Sequence, residues 1–471
     1  MNKDLRTFLK QARETGPDVY VEVNQPLKSK YETWVIQEKL SREGRFPVIY
    51  YPKIEGSELP VVSNLFGSWG LFGLALGMDP KKSDISEIFH EYRKRKEKRI
   101  PFKTVSPSES PVKEMILKGK EVDLNILPII HHAVLDSGKY ISCGQLVCKD
   151  PDTGILNVGI YRMELKGKDR LGVMMIPAQH ARYIARRYAD IGKPMEIAVY
   201  VGHHPAVTAG AEFTGPIDIC EYDVAGGYLE EPLEVVKAET VDVLVPAYAE
   251  IAIEGVIEPR KMDIDGPFAE WTGYYGEQSE CFIIQVTGIT MRRDAIYHDL
   301  AAGCWEHPML NSIGFTGAVY DAVARVVPSV KNVYLPPSGR GVIIAYISIA
   351  KRIEGEGKRA ALAAINSAAS VKIAVVVDED INVYKEEEVL WAVATRVCPD
   401  IDINIIPFLA GGKLDPTAYD ETRVKKGAMT SKMIIDATKP IGIPFPTRIT
   451  PPEELWGKMK LKDYIKDYKG P

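Results

Sequence analysis

Apolar and polar positions follow different repeats in different parts of this chain. Between residues 250 and 258, Ile251, Ile253 and Ile257 fall on one side of a two-residue repeat and Glu250, Glu254 and Glu258 on the other. That is the pattern of a half-exposed strand. Runs at 195–201, 235–245 and 282–291 also read as strands, separated by Gly, Pro and Asp turns such as Asp150-Pro-Asp-Thr-Gly154. From about 120 to 300 the pattern predicts a strand-rich barrel with one inserted helix at 180–191. Before it, 5–12 and 85–99 read as helices and 19–23 and 48–51 as strands, with a linker marked by Pro101 and the P-S-E-S-P stretch at 107–111. After about 310 the repeat changes again. Continuous apolar strands at 342–350, 371–377 and 401–407 alternate with helices at 356–370 and 385–396. Strands buried on both faces and separated by helices predict a parallel α/β sheet. The expected fold class is mixed α/β, with an N-terminal α/β part (1–115), a central barrel (116–310) and a C-terminal parallel-sheet α/β domain (311–471).

Composition excludes several classes. At 471 residues the chain exceeds a single core. The net charge of -5 gives no electrostatic case for nucleic acid. The basic cluster H-E-Y-R-K-R-K-E-K-R at 90–99 is interrupted by glutamates at helical spacing and reads as a solvated helix face. No run of about 18 apolar residues predicts a membrane span, and the N-terminus lacks the apolar stretch of a secretory signal. The six cysteines, at 143, 148, 220, 281, 304 and 398, have no zinc-site spacing and fit reduced thiols in a cytoplasm. Gly339-Arg-Gly341 does not follow a strand, so a dinucleotide fingerprint is not predicted.

The chemistry concentrates at 155–181. Asn157 and Arg162 sit in a strand-like apolar run, where an amide and a guanidinium need partners. His180 falls in the first helical turn after Pro177, where free backbone N–H groups and the helix dipole favour an anion, most often phosphate. Taken singly, an Asn in a strand is commonly a bulge residue and a His at a helix start commonly a cap. Asn157 and Arg162 are five apart, so a flat strand would aim them at opposite faces. Service to one site then predicts a bulge or twist between them, at Gly159.

Two acidic stretches complete the set. In I-C-E-Y-D-V-A-G-G, Glu221 precedes a run of small residues. In D-G-P-F-A-E-W-T-G-Y-Y, Asp265 and Glu270 flank a Gly-Pro turn. Asp265 is placed to pair with Arg162. Glu270, beside Phe268, Trp271 and Tyr274, is where desolvation would favour a neutral carboxyl. On the residues alone, a turn aspartate and a surface glutamate stand slightly ahead of a shared site.

The order of L-P-I-I-H-H, N-V-G-I-Y-R-M, Q-H, C-E-Y-D-V-A-G, D-G-P-F-A-E and K-M-I-I-D-A-T-K-P over nearly the whole chain resembles the UbiD family, decarboxylases that use prenylated FMN. The resemblance implies a central FMN-binding, flavin-reductase-like split β-barrel. It implies a reversible non-oxidative (de)carboxylase acting on an aromatic, heteroaromatic or α,β-unsaturated carboxylic acid through a covalent prenylated-FMN adduct. Asn157, His180 and Glu221 match the family's ligands for Mn2+ or another divalent ion at the cofactor phosphate, with K+ beside it. The donor set of amide oxygen, imidazole and carboxylate suits such an ion. Asn157, Ile160, Gln179, His180 and Lys372 match the cofactor-binding positions, Lys372 reaching the phosphate from the C-terminal domain. Arg162, Asp265 and Glu270 fall on the catalytic Glu–Arg–Glu network, the first acid being one methylene shorter here, and Glu270 is the implied proton donor. A flavin prenyltransferase as cofactor supplier, a cytoplasmic location and a homodimer or homohexamer assembled through the C-terminal region are implied as well.

Two other readings are an FMN-dependent oxidoreductase and a catalytically silent UbiD-like subunit. The first leaves the Asn157–His180–Glu221 trio without a task, and the retention of Arg162 and Glu270 argues against the second. His298, Trp305, His307, Asn311 and the loop at 441–446 are expected to line the substrate pocket.

Overall fold

The computed structural model describes residues 3–177, 179–418 and 428–468. Its centre is a closed antiparallel barrel of six strands: β1 (Tyr140–Lys149), β2 (Leu156–Gly167), β3 (Arg170–Val173), β4 (Met195–Val201), β5 (Ile251–Asp265) and β6 (Ser279–Met291). They run in the order β5-β4-β1-β2-β3-β6, and β5 pairs with β6 to close the ring. The two-residue repeat explains the interior. Met195, Ile197, Val199 and Val201 of β4 and Ile251, Ile253 and Ile257 of β5 point inward and are fully buried, among Leu146, Met163, Leu171 and Ile284. Each such side chain contributes about 1.5–3 kcal/mol of burial. Closure removes the free edges of an open sheet except along the first half of β2, which β3 does not reach. Helix α1 (His180–Asp190) is inserted between β3 and β4, and α2 (Glu221–Leu229) follows β4.

The N-terminal part forms a four-stranded sheet that periodicity alone did not anticipate. Tyr20–Glu22, Val48–Tyr51 and Val61–Ser63 are joined by Tyr297–His298, arriving from beyond the barrel. The helix Ile85–Lys98 starts at a capping box between Asp84 and Glu87. Its basic face departs from the solvated surface expected. Arg93 and Lys96 both pair with Asp321, and Arg95 is buried against Glu91 and the Tyr228 carbonyl. The cations therefore dock this helix on α3 (Glu306–Ala324) and α2.

The predicted strand at 235–245 is a hairpin, Glu234–Lys237 with Leu244–Pro246. In the C-terminal region β7 (Val330–Tyr334), β8 (Ile344–Ile349), β9 (Ile373–Asp378), β10 (Ile403–Ala410) and β11 (Met429–Ala437) form one sheet in the order β7-β8-β9-β11-β10. The three central strands, β8, β9 and β11, are parallel, as the apolar runs at 342–350 and 371–377 require. The third run, 401–407, is not a buried parallel strand: it lies in β10, an antiparallel edge with several exposed residues. The other edge, β7, is antiparallel too. Antiparallel edges on a parallel centre are common in large sheets. The edge strand β10 exposes Ile405 and Phe408, and the segment after residue 440 exposes Ile449 and Trp456. All six cysteines are unpaired thiols. Among the described residues no helix is long and apolar enough to cross a membrane.

Candidate active site

Strand β2 carries both halves of the site. Its first half, 156–162, hydrogen-bonds only to β1 among the named strands, because β3 joins it at Met163 and beyond. One edge of the strand is therefore open there. Glu221, the first residue of α2, fills part of it: its carboxylate accepts from Asn157 Nδ2 and from the Val158 backbone N–H, both at 2.8 Å. It is 4 % exposed and has no cationic partner among the described residues, and burial pushes its carboxyl up to about 8.

A cavity of about 310 Å³ runs along this edge, lined by Asn157, Ile160, Gln179, His180, Glu212 and Glu221 among others. His180 opens α1, and burial lowers its pKa, which keeps the ring neutral and able to ligate. Gln179 accepts the Ile176 N–H through its side-chain oxygen at 2.8 Å, which stiffens the approach to that helix. The neighbouring Ala178 lies outside the described residues. Glu212 had no sequence signal. Its carboxyl, pushed up to about 7 by burial, makes no ion pair among the described residues.

The expected bulge at Gly159 is not there. From Leu156 to Tyr161 the register against β1 is regular, and the irregularity lies in β1, between Ile141 and Gly144, across from Arg162. Consecutive residues 157–161 all line the cavity because it follows the strand's edge rather than one face. The glycine answers a different need: a Cβ at 159 would stand 2.9 Å from the Tyr161 ring.

Five residues along, roughly 17 Å at strand rise, lies the second half. Arg162 donates from Nε and Nη2 to Asp265 Oδ2 at 3.1 and 2.7 Å, and from Nη1 to Glu270 Oε1. Asp265 and Glu270 are buried, and the Phe268 ring lies 4.8 Å from the guanidinium carbon. The expected Arg162–Asp265 pair is present, and Glu270 shares the same guanidinium instead of standing apart. Around it the Tyr140 hydroxyl bonds Ser137 Oγ at 2.7 Å and accepts the Gly266 N–H at 3.2 Å. Behind it His132 donates to both oxygens of Asp299 at 2.9 Å, and this carboxylate, outweighing burial, raises the His132 pKa. The L-P-I-I-H-H motif contains His132, but its partner 167 residues away has no sequence signal.

Other expected residues lie elsewhere. Lys372, at the entry to β9, is held by Asp415 at 3.0 Å and donates to Thr417 Oγ1 at 2.6 Å, outside the cavity lining. Trp305 stacks on Phe46 and donates to the Gly67 carbonyl at 3.1 Å, a structural anchor rather than a pocket wall. His298 is fully buried with both ring nitrogens unpartnered, and burial lowers it to about 4. His307 accepts the Gly303 N–H at 3.4 Å and is lowered to about 3 by burial, then by Arg340, Arg162 and His132. The loop at 441–446 exposes Ile441, Ile443 and Phe445.

This fold and site define a class, the UbiD-type carboxy-lyases. The profile of the 3-octaprenyl-4-hydroxybenzoate carboxy-lyase family matches in three parts: its N-terminal domain at 16–91, its Rift-related domain at 103–305 and its C-terminal domain at 313–437. The chain belongs to that family. It is 34% identical to the anhydromevalonate phosphate decarboxylase of Methanothermobacter thermautotrophicus, over 85% of this chain and 90% of that one. It is 32% identical to the phenolic acid decarboxylase of Sedimentibacter hydroxybenzoicus, over 99% and 98%. The UbiD-class enzyme HmfF of Pelotomaculum thermopropionicum, solved with FMN, superposes with a TM-score of 0.91 at 36% identity, covering 98% of this chain and 100% of that one.

Proposed function

We propose that the chain catalyses reversible, non-oxidative (de)carboxylation of an aromatic, heteroaromatic or α,β-unsaturated acid with prenylated FMN bound along the open edge of β2. The observation that carries this reading is that one strand supplies a member to each of two clusters, Asn157 to an anchoring end with Glu221 and His180 and Arg162 to an acid–base end with Asp265 and Glu270. An elongated cofactor with a phosphate at one end and a reactive ring at the other suits that spacing. The donor set fits a divalent ion: Glu221 is a buried carboxylate without a cation, the Asn157 amide oxygen is left over once its nitrogen has bonded Glu221, and His180 is neutral. These three would hold Mn2+ or a similar ion at the phosphate, with K+ beside it, while Ile160 and Gln179 flank the cofactor. Lys372 would exchange Asp415 for the phosphate.

When bound, prenylated FMN supplies an electron sink for the pair left behind as CO2 departs. The chain's own residues do the rest. Asp265 holds the Arg162 guanidinium by two of its N–H groups, leaving Nη1 to be contested between Glu270 and the substrate carboxylate. A substrate that takes Nη1 frees the buried Glu270 carboxylate from its cation, and the carboxylate takes up a proton from solvent. Glu270 then delivers its proton to the carbon that lost CO2 and recovers one from solvent. Arg162 does not give up a proton at accessible pH, so it orients and does not donate. An FMN-dependent oxidoreductase gives no reason for the Asn157–His180–Glu221 trio.

A cytoplasmic location and a flavin prenyltransferase as supplier accompany the reading, the former supported by six free thiols. A homodimer or homohexamer through the C-terminal region is supported by Ile405 and Phe408 on an edge strand, 69% and 70% exposed. The test is co-expression with a flavin prenyltransferase, followed by absorbance and mass spectrometry of the bound flavin and a panel of carboxylic acids scored for CO2 release. Turnover of NAD(P)H without decarboxylation or hydrogen exchange of any acid would sink the reading.

A further inference from the structure

The turn that carries Glu270 is held from outside the barrel. It closes on itself through Glu270 N–H to the Tyr274 carbonyl and Gly273 N–H to the Glu270 carbonyl, both 2.9 Å, above a ladder of only two residue pairs, Phe268–Ala269 with Tyr275–Gly276. Two further contacts come from the C-terminal region. The indole of Trp271, the residue after Glu270, packs on the core cluster built around Val319, Val333 and Ile347. Arg340 donates from Nε to the Trp271 carbonyl at 2.6 Å and from Nη2 to the Gly303 carbonyl at 3.2 Å. Gly303 itself abuts the turn, since a Cβ there would stand 3.5 Å from the Ala269 Cβ. One guanidinium thus grips the two loops that meet at Glu270.

The base of this grip is rigid. Arg340 sits at φ 60, a left-handed conformation that non-glycine residues rarely adopt. Its neighbour Gly341 has no room for a side chain: a Cβ would fall 1.9 Å from the Pro308 carbonyl oxygen. The loop is therefore seated on the start of α3. No carboxylate pairs with Arg340 among the described residues, and burial lowers its pKa, opposed only by Cys304 and Glu38. A half-buried cation satisfied by carbonyls alone is costly, which argues that the grip itself is the purpose.

We propose that Arg340 is a positioning residue for Glu270, locking the 270–274 turn to the C-terminal region so that the carboxylate reaches Arg162 only while the two are docked. The inference rests on Glu270 being the acid, and its test separates the two. Hydrogen–deuterium exchange by mass spectrometry is measured on wild-type holoenzyme, Arg340→Ala and Arg340→Lys. In the Ala variant, amides of 268–276 exchange at least about tenfold faster, while 195–201 and 251–257 keep wild-type rates. Lysine, a point charge without the fork, falls between. The value of kcat drops by about 10²-fold, as displacement of a reacting group by an ångström costs, while KM and flavin content stay within about twofold. Unchanged exchange at 268–276, uniformly faster exchange everywhere, or a loosened turn with wild-type kcat each overturns the proposal. Should Glu270→Gln retain full activity, the acid assignment fails on its own, and the exchange pattern still decides whether Arg340 holds the turn.

Discussion

Replacing Glu270 by glutamine removes one titratable proton and little else. The new side chain's oxygen still accepts from Arg162 Nη1. Arg162 keeps both bonds to Asp265, at 2.7 and 3.1 Å, so no buried charge is orphaned. The ground-state loss is that of weakening one charge-assisted bond, within about 1.5–3 kcal/mol, and flavin and substrate binding survive. Loss of general acid catalysis is worth about 10²–10⁴ in rate, or about 2.7–5.4 kcal/mol of barrier. The expected result is therefore a kcat lower by that factor, with KM and flavin occupancy near wild type. Deuterium incorporation from solvent into the product should fall in parallel. Asp265→Asn makes the contrast: it weakens the acceptor of two Arg162 bonds, so binding and rate fall together. Single-turnover product formation with solvent exchange distinguishes the two variants. A Glu270→Gln enzyme that decarboxylates and exchanges near the wild-type rate would refute the role assigned to Glu270 and move proton delivery to water or to the substrate side of the pocket.

Glu221→Ala and His180→Ala should each lower bound divalent ion and flavin together, by about tenfold or more; metal analysis finding both at full occupancy would remove the trio from cofactor binding. Lys372→Met should weaken flavin retention while leaving thermal stability nearly unchanged, because the Lys372–Asp415 pair is partly exposed and such pairs contribute about 0–1 kcal/mol; unchanged retention on dilution would leave Lys372 with Asp415 alone. His203 and His204 are buried, and burial is the main cause that lowers them to about 4 and about 3, with Asp4, Arg292 and Lys3 as charged neighbours. Their folded pKa values lie below the unfolded one, so their contribution to stability is complete above pH 6.5 and is lost as pH falls toward 4. The slope of that loss is up to about 2.7 kcal/mol per pH unit for two protons. Glu212 and Glu221, raised by burial, act in the opposite sense over the same range. The check is therefore the difference in melting temperature between wild type and a His203→Gln/His204→Gln variant from about pH 7 to 4.5, and a difference that does not change with pH would contradict the neutral buried pair.

The barrel was legible because half-buried strands declare themselves: Ile251, Ile253 and Ile257 are all inside. The clustering of the candidate residues was legible as chemistry, since Asn157, His180 and Glu221 line one cavity and Arg162 meets both acids. What a linear repeat cannot convey is which edge of a strand stays unpaired. The odd spacing of Asn157 and Arg162 therefore suggested a bulge at Gly159, whereas the glycine accommodates the Tyr161 ring. A two-residue strand such as Tyr297–His298 is too short to show a period, so its return to the N-terminal sheet went unseen. Position alone points Trp305 to the pocket, whereas its bond to the Gly67 carbonyl depends on a contact 238 residues away. The grip of Arg340 on Trp271 is hidden for the same reason: a backbone carbonyl acceptor leaves no mark on the sequence.

Because β2 meets β1 in unbroken register from Leu156 to Tyr161, the stretch behaves as a gauge of fixed length. One residue inserted there would turn Arg162 to the opposite side of the strand, away from Asp265 and Glu270. Two would restore its side but carry it about 7 Å farther from Glu221. A deletion would misplace it in the same ways. Sequence drift in this segment is thus free to change what the residues are, within the limits of their chemistry, but not how many of them there are.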